Sequence, residues 1–225
     1  MHAFFARLNR RLASPLDLGP RALLLLAAVL LAAIYFFPLW NLTMFAPQYP
    51  QGLRLDIYSH KLVGGNGGQD IKEINVLNHY IGMHDLAQED FTEFKWLPFV
   101  VGVIGLLYLR AAVLGTLGGL VDVLVLNLYF SAFALWSFGF KLYQYGHDLA
   151  PTAAVKVPPF MPPVFGYKQL ANFEVYSYPT LASYAMAVST LLVIVAFFWG
   201  WRLARQESDA EAAARPGPSG ARSGK

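Results

Sequence analysis

The sequence contains no cysteine. That excludes disulfides, thiolate metal sites, iron–sulfur clusters and haem attached through a Cys-x-x-Cys-His motif. Any metal would have to be held by His, Met, carboxylate or backbone groups. Charge is also scarce: 14% of the 225 residues are charged, where a soluble domain carries about 25%. The deficit is concentrated in a few long apolar runs, the pattern of membrane spans, and mean hydropathy is +0.42. No P-loop, His-Glu-x-x-His, Ser-His-Asp set or glycine-rich nucleotide fingerprint occurs. The net charge of +3 does not point to nucleic acid, because the Lys and Arg residues flank the apolar runs and form no contiguous basic face.

Four apolar runs divide the chain. Residues 1–20 form a basic cytoplasmic segment with Arg7, Arg10 and Arg11, and residues 21–40 form a first span closed by the aromatic stretch Tyr35 to Trp40. That belt, in place of small residues suited to cleavage, marks a retained span rather than a signal peptide. Residues 41–95 are a polar loop; 96–115 and 118–140 are the second and third spans; 141–178 are a second polar loop; 179–201 are the fourth span. The tail, 202–225, has a disordered composition. Cytoplasmic segments in this layout hold ten Lys and Arg residues, and the longer outer loops seven. The bias predicts a protein with both termini inside and both large loops outside. The expected fold is therefore all-α: four transmembrane helices and two extracytoplasmic loops, the first containing a short amphipathic helix.

That short helix is read from Asp70–Phe91, where Ile71, Ile74, Leu77 and Ile81 recur at helical spacing. It is expected on the membrane surface, with Asn75, His79 and Met83 on one face and His84 at its edge. His60 in the first loop, and His147 and Met161 in the second, could complete a ligand set. Imidazole with thioether is the donor pair that Cu(I) accepts. The bland alternative is that interfacial His residues bond headgroups and that Met fills gaps. Pro158-Pro159 and Pro162-Pro163 bracket Phe160-Met161 and predict an extended strap, either a docking surface or a lid closing over the first loop, or else a rigid cap that shields the helix ends. Residues 64–68, Gly-Gly-Asn-Gly-Gly, read as a flexible linker. Asp122, near the cytoplasmic end of its span, is expected to pair with Arg110 rather than to relay protons.

The loop motifs Ala46-Pro47-Gln48-Tyr49-Pro50-Gln51-Gly52-Leu53, Asn78-His79-Tyr80-Ile81-Gly82-Met83, Gly146-His147-Asp148-Leu149 and Lys156 to Pro163 resemble a family of small bacterial multi-pass membrane proteins. That family is associated with gene clusters for nitrous oxide reductase and its copper maturation. The resemblance covers roughly residues 40–179. It implies a non-enzymatic accessory protein that handles copper, or assists assembly of a periplasmic copper enzyme, with a periplasmic or membrane-bound redox protein as partner and a homo-oligomer as one possible state. The alternative is a structural or assembly subunit of a respiratory membrane complex without its own metal. An enzyme acting on a quinol or lipid would need an ionisable pair facing a membrane cavity, and Asp122 alone does not make one.

Overall fold

The computed structural model describes residues 2–170 and 173–214. Four helices are long and apolar enough to cross a membrane. The helices are α1 (His2–Leu12), α2 (Leu18–Leu31, continued by a 3-10 turn to Tyr35), α3 (Gln69–Ile81), α4 (Glu93–Leu114), α5 (Leu117–His147) and α6 (Leu181–Ala214). α2, α4, α5 and α6 are the spans. The all-α expectation does not hold. Both loops fold into strands, giving 63% helix and 16% strand, so the chain is a mixed α/β protein.

The strands are β1 (Trp40–Ala46), β2 (Tyr49–Ile57), β3 (Leu62–Gly64), β4 (Gly166–Leu170) and β5 (Phe173–Pro179). They form one antiparallel sheet in the order β3-β2-β1-β5-β4. β1 is its centre, and β1 pairs with β5 from Trp40↔Pro179 to Phe45↔Glu174, so the two loops share a single sheet. The cause is a two-residue period. Leu53-Arg54-Leu55-Asp56-Ile57 alternates, as does Trp40-Asn41-Leu42-Thr43-Met44, and an alternating segment buries one side only when extended. The inward side carries Leu42, Leu53, Leu55 and Val175, packed with Ile74 and Leu77 of α3 into a small core. Pairing also satisfies backbone groups that a loop near lipid would leave unbonded.

α3 therefore packs against the sheet, with Ile74 fully buried. Gly82, at φ +82°, ends the helix. Met83 lies beyond that end, so the helical spacing of Asn75, His79 and Met83 does not apply to it.

The spans have a separate core around Leu24, Ile104, Leu120 and Val193. At one end of the bundle, the Leu16 N–H donates to the Gly115 carbonyl (2.6 Å) and the Leu117 N–H to the Ser14 carbonyl (3.0 Å), stitching the chain before α2 to the α4–α5 turn. At the other end, the Thr180 N–H donates to the Leu39 carbonyl (2.9 Å) and Ser183 Oγ to the same oxygen (2.7 Å). The sheet grows from that second end. Two spans outrun their expected limits: α5 continues to His147, and α6 reaches Ala214 through the first part of the tail read as disordered; residues 215–225 lie outside the described residues. Asp122 and Arg110 are both exposed, and they are not among the ion pairs of the described residues. Side chains at a helix end reach polar surroundings without a partner.

Candidate functional site

A cavity of about 620 Å³ lies between the span core and the sheet core. Its roof is the inward side of β1 and β5 with Met44, its walls are the outer halves of α5 and α6, and the start of α4 contributes Glu93, Trp96 and Leu97. The lining is almost wholly apolar. Leu135 of α5 and Leu191 of α6 both line the cavity and are both more than half exposed, at 63% and 58%, which places its mouth between these two spans. Below the mouth, the buried Asn127 side chain donates to Thr190 Oγ1 (3.0 Å) and ties α5 to α6. The cavity therefore occupies only the half of the bundle nearest the sheet.

The loop motifs meet above the cavity. Gly82 lets the chain turn, and its carbonyl accepts from the Ala150 N–H (2.7 Å), while the Tyr80 carbonyl accepts from the Val155 N–H (3.0 Å). A Cβ on Gly82 would lie 2.9 Å from the Ala150 oxygen. Gly146, buried in the last turn of α5, accepts from the Phe160 N–H (3.0 Å), and a Cβ there would overlap the Phe160 carbonyl. The proline strap is thereby fastened to the top of α5, and its Phe160 and Pro162 line the cavity beside Met83. The strap thus lies over this cavity.

α3 is fixed to the sheet by buried polar contacts. Asp70, 3% exposed, accepts from the Arg54 N–H and from Asn66 Nδ2, each at 2.8 Å. The glycine segment read as a flexible linker is thus a built turn that wraps a carboxylate, since a side chain on Gly65 would collide with Asp70. The Tyr49 hydroxyl donates to Glu73, whose other oxygen accepts from Gln69 (2.9 Å). The Tyr49 bond, then the Gln69 bond, hold the Glu73 carboxyl below its ordinary value, and the same bond to Glu73 pushes the Tyr49 hydroxyl up.

The six expected metal ligands are placed over this region as follows. His84 Nε2 lies 3.0 Å from Asp148 Oδ2, a contact that joins the two loops. His147 is stacked on Tyr143 and its Nδ1 lies 3.0 Å from the Tyr143 carbonyl. His60 sits on the β2–β3 turn, beside Ser59 Oγ (3.2 Å). His79 is exposed in the last turn of α3. Met83 is half-buried on the cavity, and Met161 is half-buried in the strap, its carbonyl accepting from Lys168 (2.8 Å). Among the described residues no three His, Cys, Asp or Glu side chains gather as a metal group. The contact that does form, imidazole with carboxylate, is harder than the His/Met pair suited to Cu(I).

Sequence reasoning missed Glu93 and Lys141. Both were assigned to loops, yet both line the cavity. Glu93 Oε1 accepts from Ser137 Oγ (3.0 Å), whereas Oε2 is buried with no hydrogen-bond partner among the described residues. Lys141 donates to the Asp90 carbonyl (3.0 Å) and lies over the Phe91 ring. These two place an acidic and a basic group on the cavity lining. No family model matches the chain, and neither curated proteins nor solved structures give a match.

Proposed function

We propose that this protein is a non-enzymatic accessory protein of the bacterial inner membrane, with both termini inside, that holds an apolar molecule drawn from the outer leaflet. The carrying observation is the cavity of about 620 Å³ that opens between α5 and α6, a size usual for ligand sites, which span roughly 300–1,000 Å³. An opening between two lipid-facing spans admits a molecule sideways from the bilayer, so its chain never crosses water. The sheet and strap would shield it on the periplasmic side. The test is photolabelling of the full-length protein in nanodiscs with tridecyl diazirine. The expected result is saturable labelling of Trp40, Phe94 or Phe138 inside the cavity, reduced by Ala187→Trp at the wall. Labelling confined to outward positions such as Leu106 and Leu126 would overturn the reading.

Copper handling for a periplasmic enzyme such as nitrous oxide reductase is the second reading. It rests on the resemblance of the loop motifs and on the contact of His84 with Asp148, which draws the motif segments together. Transient hand-over at the surface requires fewer donors than a resident site. The expected outcome is Cu(I) binding by the purified protein that is lost in the His79→Ala, Met83→Ala double variant while the fold is retained. Unchanged copper stoichiometry would remove it. Membership of a respiratory complex is compatible with the first reading, and co-purification of further subunits would support it.

A further inference from the structure

The cavity is apolar almost throughout, so its few polar atoms indicate which end of an amphiphile they would meet. Glu93 Oε2 is the notable one, a buried carboxylate oxygen without a partner among the described residues. Leaving such an oxygen unbonded costs more than forming the bond returns elsewhere, and an apolar residue would suit the wall better. Glu93 is held in place: Ser137 fixes its other oxygen, and it lies in the first turn of α4, where the helix favours negative charge. Ser137 and Lys141 are four residues apart on α5, so their side chains are neighbours about 5–6 Å apart. The Lys141 ammonium has three donors, of which one goes to the Asp90 carbonyl. An acceptor and a donor therefore stand one helical turn apart at the polar edge of the cavity, and the mouth between Leu135 and Leu191 lies deeper in the bilayer.

From this arrangement, and resting on the cavity reading above, we infer that the ligand is a neutral amphiphile with a hydroxyl head, which donates to Glu93 Oε2 and accepts from Lys141 through a neighbouring oxygen, while its chain leaves between α5 and α6. A fatty-acid carboxylate is disfavoured by Glu93, and an alkane would leave the oxygen unbonded. Two membrane sources share the chemistry: a quinol, with a ring hydroxyl beside a second ring oxygen, and a diacylglycerol, with a hydroxyl beside an ester carbonyl.

The experiment titrates full-length protein in nanodiscs with decylubiquinol, with decylubiquinone and with dioctanoylglycerol. The quinone has the same ring and chain as the quinol but no O–H to give. Saturable binding of the quinol, with the quinone at least about tenfold weaker, is expected, because a hydrogen bond to a charged acceptor contributes that much or more. In Glu93→Leu the quinol should fall to the quinone's affinity, with the quinone unchanged. Glu93→Gln, which retains the shape and a neutral acceptor, should lose only part of the preference and serves if the Leu variant misfolds. Binding of dioctanoylglycerol alone, lost in Glu93→Leu, supports the hydroxyl site and assigns it to a glycerolipid. Equal binding of quinol and quinone by the wild type, or equal loss of both in Glu93→Leu, overturns the inference. If none of the three binds while the diazirine still labels the cavity, the head-group assignment fails and the cavity reading stands.

Discussion

Asp70→Ala is the substitution on which the sheet cap depends most directly. The carboxylate is 3% exposed and accepts two hydrogen bonds of 2.8 Å, one from the backbone of β2 and one from the Asn66 amide. It is the point where β2, the glycine turn and α3 meet, because the Gly65 N–H also returns to the Arg54 carbonyl (2.9 Å). Hydrogen bonds to a charged group contribute about 1.5–3 kcal/mol each. Loss of both, with the Arg54 N–H left without an acceptor, should destabilise the cap by about 3 kcal/mol. For a chain of this length that corresponds to a fall in Tm of roughly 6–12 °C. Asp70→Asn keeps one acceptor and should fall by about half as much. Thermal unfolding in detergent, followed by tryptophan fluorescence, measures the shift, and limited proteolysis at 65–68 locates it. A variant with the wild-type Tm and an uncut glycine segment would refute the claim that this turn is built around the carboxylate.

Further outcomes follow from the same geometry. The chain has no native cysteine, so Thr43→Cys with Tyr176→Cys should give a single disulfide on oxidation, as these residues are cross-strand partners; failure to crosslink, read on a non-reducing gel after cleavage between the loops, would separate the loops and dissolve the sheet. Gly146→Val should expel the strap, because the added atoms overlap the Phe160 carbonyl, and would be seen as faster proteolysis between residues 150 and 163. Glu73 titrates below its ordinary value of 4.5, so its bond to Tyr49 adds stability above that pH and loses it as pH falls through the lowered value. Tyr49 is raised above 10.0, so its share is present below pH 10 and lost as pH rises through the raised value. Tyr49→Phe should abolish the alkaline limb and shrink the acid limb, part of which the Gln69 bond retains, in a Tm-against-pH profile; an undiminished acid limb would place its origin elsewhere.

The four spans were legible because a bilayer imposes length and apolarity on a segment by itself, with no need of neighbours. α3 was legible for a related reason, since Ile71, Ile74, Leu77 and Ile81 carry their period locally. The sheet was also written in the sequence, in the alternation of Leu53 to Ile57 and of Trp40 to Met44. An alternating strand is half polar on average, so by polarity alone it does not differ from a loop. What local pattern did not supply is pairing. That β1 takes β5 as a neighbour, 133 residues onward from Trp40 to Phe173, depends on both segments leaving the same end of the bundle. The fate of the histidines shows the same division. Their spacing is local, but where they lie is not: Gly82 ends α3 before Met83, Tyr143 stacks on His147, and Asp148 meets His84. The cavity and its Glu93 carboxylate belong wholly to the tertiary structure, because a cavity is the space that separate segments leave between them. The sequence alone determined which stretches favour lipid, and the packing of helices against sheet decided what they enclose.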